Sequence, residues 1–70
     1  MIKVIQSIKK EYEGKRDQEI YDLQVYLTNP VGVGEHSDIS FEIKKKLENI
    51  EKLDAQIDTI NKYFSKNSEE

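Results

Sequence analysis

The stretch Thr28-Asn29-Pro30-Val31-Gly32-Val33-Gly34-Glu35-His36 divides the chain, because it carries the one proline and two of the three glycines. Pro30 has no amide hydrogen to donate, and its ring disfavours helical dihedral angles at Asn29. A helix that arrives from the N-terminal side is therefore expected to end near Thr28. Beyond the bend, His36 or either of the next two residues can cap a new helix by accepting hydrogen bonds from its first amides. The stretch predicts two helices joined by a loop over residues 29–36.

The second arm has the clearer helical pattern. Apolar residues recur at steps of three or four, which places them along one face of a helix. They are Ile39, Ile43, Leu47, Ile50, Leu53, Ile57, Ile60 and Phe64. Acidic residues precede basic ones by four positions, an order that stabilises a helix by about 0.2–0.5 kcal/mol per pair. These pairs are Glu42 with Lys46, Glu48 with Lys52, and Asp58 with Lys62. The pattern predicts a helix over about 37–64, followed by a disordered tail over 65–70.

The first arm shows a similar stripe that predicts a helix over about 2–28. Its members are Met1, Ile5, Ile8, Tyr12, Arg16, Ile20, Leu23 and Leu27. Two residues weaken the pattern: Arg16 places a charge on the stripe, and Gly14 costs about 1 kcal/mol relative to alanine inside a helix. The alternative is that residues 2–8 form an extended segment or a separate short helix, with Asp17 capping a helix that ends at Thr28.

The two stripes match when the arms fold back on each other. In an antiparallel hairpin, residues whose numbers sum to about 66 face one another. Ile20 then meets Leu47, and Arg16 meets Ile50. Seven of the eight layers are apolar on both sides. The sequence therefore predicts an all-α fold, an antiparallel helical hairpin that forms one domain over residues 1–70.

A lone hairpin is not expected to be stable. Ordering each helical residue costs about 1–2 kcal/mol of backbone entropy, and two helices side by side cannot bury their stripes fully. Further apolar residues lie off the main stripes and widen the apolar surface. We expect a homodimer that forms a four-helix bundle of coiled-coil type. Its interface is predicted to include Ile2, Tyr21, Val25, Tyr26 and Tyr63.

Composition excludes several classes of function. A chain of 70 residues buries only about 60% of its unfolded surface and leaves little room to enclose a substrate, so we expect no enzyme, catalytic residue or cofactor. The absence of cysteine excludes disulfides and thiolate metal sites, and a single histidine excludes a multi-histidine site within one chain. A net charge of −3 disfavours nucleic acid. The longest apolar run is three residues, so we expect no membrane segment and a cytoplasmic location.

The loop is the predicted recognition feature, because it is polar and lies at one tip of the hairpin. The residues expected to contact a partner are Val31, Val33, Glu35, His36 and Asp38. One alternative is a small ligand- or metal-binding protein, since a histidine with two carboxylates, here Glu35, His36 and Asp38, can hold zinc or manganese. Another is a nucleic-acid accessory factor that uses the concentrated lysines Lys9, Lys10, Lys44, Lys45 and Lys46.

The segment from Tyr26 to Ile39, YLTNPVGVGEHSDI, resembles small uncharacterised helical proteins of T4-like bacteriophages of marine cyanobacteria. Those proteins carry a similar Tyr-Leu-x-Asn-Pro-Val-Gly-x-Gly-Glu-His turn between two helices. The resemblance implies a viral origin and a helical hairpin, with no assigned activity and no functional residues to transfer. Together these observations predict a non-enzymatic interaction or accessory protein that acts on a host or viral protein, in the host cytoplasm if viral.

Overall fold

A computed structural model describes residues 2–28 and 38–64. They form two α-helices, α1 (Ile2–Thr28) and α2 (Asp38–Phe64). The helices pack against each other along their lengths and run antiparallel, because the start of α1 lies beside the end of α2. The all-helical hairpin is therefore confirmed over this part of the chain, where no strand occurs. The predicted loop and tail lie outside the described residues.

The end of α1 reflects local chemistry. The Thr28 hydroxyl donates a hydrogen bond to the carbonyl oxygen of Gln24, four residues earlier, at 2.9 Å, the back-bonding that threonine makes to the preceding helical turn. Pro30 follows two residues later and cannot continue the hydrogen-bonding pattern. In the last turn of α2, Lys62 places a positive charge near the negative end of the helix dipole.

Helix α1 runs without interruption through Gly14. The alternative in which residues 2–8 are extended or form a separate helix is therefore wrong. Apart from the adjoining residues and backbone of α1 itself, no atom lies within 4 Å of the position that a Cβ would occupy at Gly14. Packing does not require the glycine, and its cost is offset by the contact of the whole helix with α2.

The core of the hairpin is small. Among the described residues only Ile57 and Ile60 are buried, at 5% and 9% exposure. The other apolar residues of the two stripes that lie within residues 2–28 and 38–64 are half-buried or exposed. Those exposed are Ile8, Leu27, Leu47 and Phe64. The expectation that Leu27 and Leu47 lie in apolar layers between the helices is wrong, because two helices enclose only a narrow seam. Ile8 and Phe64, although partly exposed, line a groove between the start of α1 and the end of α2.

Leu47 shows why the stripe was misplaced. Its exposed fraction is 52%, whereas Lys46 beside it is only 18% exposed at its side chain. At about 100° per residue, Leu47 lies about 80° around the helix from Ile39, and Lys46 lies about 20° from it. The seam therefore follows Ile39, Ile43, Lys46 and Ile50, with the alternating steps of four and three that keep side chains facing a partner helix.

Candidate interaction surface

The predicted recognition loop cannot be placed. Val31, Val33, Glu35 and His36 lie outside the described residues, as does the proposed metal set that shares them. Asp38 is the first residue of α2. The roles proposed for this loop stay predictions. The candidate interaction surface is therefore the one that α1 and α2 form.

A cluster of polar side chains, which we call the seam cluster, lies between the two helices. Lys46 Nζ is 3.3 Å from Glu19 Oε1 and 3.4 Å from Asp22 Oδ2. Asn49 Nδ2 donates to Glu19 Oε1 at 3.5 Å, and Gln18 Nε2 donates to Asp22 Oδ1 at 3.0 Å. One lysine of α2 is thus held by two carboxylates of α1, and the layer predicted to pair Ile20 with Leu47 contains an ion-pair network.

The seam cluster keeps Lys46 charged. Partial burial lowers the pKa of the Lys46 ammonium, but hydrogen bonds and attraction from Glu19 and Asp22 outweigh it, so the pKa lies above the ordinary value of 10.5. The predicted pair of Glu42 with Lys46 is not among the ion pairs of the described helices, nor are Glu48 with Lys52 and Asp58 with Lys62. Lys46 therefore contacts the partner helix instead of its own.

Arg16, the charge on the predicted stripe of α1, also bridges the helices. Its Nη1 is 3.4 Å from Asp54 Oδ1, and its Nε is 3.4 Å from Asp17 Oδ1. Desolvation lowers the pKa of the guanidinium, but hydrogen bonds to Asp54 and Asp17 raise it above its usual range overall. Arg16 was expected to face Ile50, and its contact lies one turn further along α2. The predicted register is thus correct to within about one turn.

The lysines proposed for nucleic-acid binding do not form one surface. Lys46 is held in the seam cluster, and Lys9 is half-buried. Lys10, Lys44 and Lys45 are exposed, with Lys45 Nζ 5.9 Å from the centre of the Phe41 ring. Consecutive residues point about 100° apart around a helix, so Lys44 and Lys45 do not share a direction with Lys46. These five lysines therefore do not form a continuous phosphate-binding surface.

Four of the five residues predicted at an oligomer interface are exposed. They are Ile2, Tyr21, Val25 and Tyr63, whereas Tyr26 is half-buried against the hairpin. Sequence reasoning missed the exposure of Phe41, which is 60%. Its position two residues after Ile39, and so about 200° around α2, was the available signal. The described helices leave ten large apolar side chains exposed.

An apolar groove, which we call the open-end groove, lies between the start of α1 and the end of α2. Its volume is about 310 Å³, and its lining combines five apolar or aromatic side chains with two uncharged polar ones. They are Ile5, Ile8, Tyr12, Ile60, Phe64, Gln56 and Thr59. The Thr59 hydroxyl donates to the carbonyl oxygen of Ala55 at 2.9 Å, so it needs no partner in the groove. An adjoining depression is instead charged, with Lys15, Glu19 and Lys52 in its lining.

Neither metal-binding nor membrane-spanning features occur in the two helices. Within residues 2–28 and 38–64, no three histidine, cysteine or acidic side chains converge as a possible metal site. Neither α1 nor α2 combines the length and the apolar character needed to span a lipid bilayer.

Comparison of the chain with protein-family models, with curated proteins and with solved structures finds no match.

Proposed function

We propose that this chain is a non-enzymatic helical interaction protein that acts as a homodimer, in which two hairpins form a four-helix bundle. The observation that carries the proposal is the imbalance between core and surface. Two apolar side chains are buried in the described helices, and ten large ones are exposed. A second hairpin would cover exposed apolar side chains that the first hairpin cannot cover alone.

The loop provides the proposed contact to a further partner. Its resemblance to the turn of small cyanobacterial phage proteins supports a viral origin, and with it a host or viral protein as the partner in the cytoplasm of the infected cell. Glu35 and His36 are the proposed contacts, since they combine charge and hydrogen-bonding capacity in the segment of sequence between α1 and α2. A pull-down from the host with the Glu35→Ala/His36→Ala variant as control tests this role: loss of a specific partner from the variant alone is the expected result.

Sedimentation velocity tests the homodimer. The wild-type chain is measured from about 1 to about 100 µM, a range that spans the dissociation constants of ordinary homodimers. Far-UV circular dichroism at the same concentrations reports its helical content. We expect a species of twice the chain mass whose helicity falls as it dissociates. A helical monomer that persists at low micromolar concentration would contradict the proposal.

A further inference from the structure

We propose that the open-end groove is the centre of the dimer interface, and that the same groove of a second copy occupies it. This inference rests on the proposed function and specifies which part of the surface carries it. The groove lies directly beside Ile60, one of the two buried residues, and its apolar side chains continue outward from that core through Ile8 and Phe64. A second hairpin packed there would extend the one well-buried region of the chain.

Charge favours a second copy as the occupant. In a two-fold symmetric interface each patch meets itself, so any charge near the axis meets a like charge. Within residues 2–28 and 38–64, no charged residue lines the open-end groove. The neighbouring depression contains Lys15, Glu19 and Lys52, and a third one, near the end of α2, contains Asp58 and Lys62. Of these three concave surfaces, only the open-end groove can meet itself without repulsion or loss of hydration of a charge.

Shape and polarity agree with this occupant. The groove is open along the side of the hairpin, and a small molecule in it would stay exposed to water, whereas ligand sites bury about 70–90% of the ligand. The Thr59 hydroxyl is already bonded to Ala55, so covering it leaves no donor unsatisfied.

The test adds a charge to the groove without removing an apolar contact. Thr59→Glu places a carboxylate in the groove at an exposed helix position, and Thr59→Lys places an ammonium there. Phe41→Glu is the matched control, because it places the same carboxylate at an exposed position of α2 that lies outside the groove. Dimer dissociation constants are measured by sedimentation, and far-UV circular dichroism verifies that each variant remains helical.

We expect Thr59→Glu and Thr59→Lys each to raise the dimer dissociation constant at least about 100-fold, since each homodimer would bury two like charges. The Phe41→Glu variant should stay within about threefold of wild type. An equimolar mixture of the two Thr59 variants should restore the dimer, because the charges then have opposite sign.

Two results overturn the inference while leaving the homodimer intact: a wild-type dimer that Thr59→Glu leaves unchanged, and a mixture of the Thr59 variants that stays monomeric. A wild-type chain that never dimerises contradicts the proposed function itself. Should Phe41→Glu alone dissociate the dimer, the interface lies near the start of α2, away from the open-end groove.

Discussion

Replacing Lys46 by methionine should weaken the hairpin by removing the only cation of the seam cluster while retaining the apolar length of the side chain. In the native structure the ammonium lies within 3.4 Å of carboxylate oxygens of both Glu19 and Asp22. The Lys46→Met variant leaves these two carboxylates close together and partly buried without a counter-ion. Repulsion between the two carboxylates and their incomplete hydration then destabilise the packed helices.

The magnitude follows from how far the three groups are buried. Exposed ion pairs contribute about 0.2–1 kcal/mol, whereas removing one partner of a fully buried pair costs about 3–5 kcal/mol. The side chain of Lys46 is 18% exposed, and those of Glu19 and Asp22 are 23% and 34% exposed. The expected loss in free energy of unfolding is therefore intermediate, about 1–2 kcal/mol. For a domain of this size, each kcal/mol lowers the melting temperature by about 4–8 °C.

Thermal and urea unfolding by far-UV circular dichroism measure this loss, at one fixed chain concentration because a dimer's stability depends on it. The control is Lys45→Met, one residue earlier on the exposed side of α2, which should change the free energy of unfolding by less than about 0.5 kcal/mol. A double-mutant cycle with Glu19→Gln isolates the interaction between the two helices and should give a coupling of about 1 kcal/mol.

The pH dependence supplies an independent check. The pKa of Lys46 is raised in the folded chain, so the stabilisation is complete below the ordinary value of 10.5 and is lost as the pH rises through the higher, folded value. The difference in stability between wild type and Lys46→Met should be constant from about pH 7 to about pH 10 and should narrow above it. Equal or greater stability of Lys46→Met at pH 7 would refute the reasoning, because an apolar side chain would then serve the seam at least as well as the ion pairs.

Three further substitutions test the packing of the hairpin. Gly14→Ala should raise the free energy of unfolding by about 0.5–1 kcal/mol in urea titrations, because the helix has open space for the added methyl group; a loss would mean that Gly14 has a packing role. Ile57→Ala should cost about 2–5 kcal/mol, and Leu47→Ala less than about 1 kcal/mol, since only Ile57 is buried; similar losses in calorimetry would return Leu47 to the core. Lys15→Ala should change stability by less than about 0.5 kcal/mol, because its pair with Glu11 at 3.4 Å is solvent-exposed, and a larger loss of helicity would contradict this.

Local chemistry made the secondary structure predictable. Apolar residues at helical spacing predicted two helices, and the model places them at Ile2–Thr28 and Asp38–Phe64. The match between the two stripes predicted antiparallel packing with a register correct to about one turn. These features depend on backbone hydrogen bonding within each helix and on the spacing of apolar residues. Both can be inferred from the order of residues in the sequence.

The groove and the seam cluster were not predicted. Sequence reasoning assigned Leu47 to the seam because leucine is apolar and lysine is charged, and it paired Lys46 with Glu42 on the same helix. The structure instead places Lys46 between Glu19 and Asp22 of α1. The sequence pattern of α2 alone does not show that two carboxylates of α1 lie next to Lys46.

The sequence by itself thus determined the two helices, the break between them and their approximate pairing. Only the tertiary structure decided which face of each helix meets the other, and therefore which apolar residues stay outside. The physical reason is that a rotation of a few tens of degrees about a helix axis exchanges neighbouring residues at the seam. The energy of that rotation depends on side chains of both helices at once: Lys46 meets two carboxylates of α1 at the seam, and Leu47 beside it stays exposed.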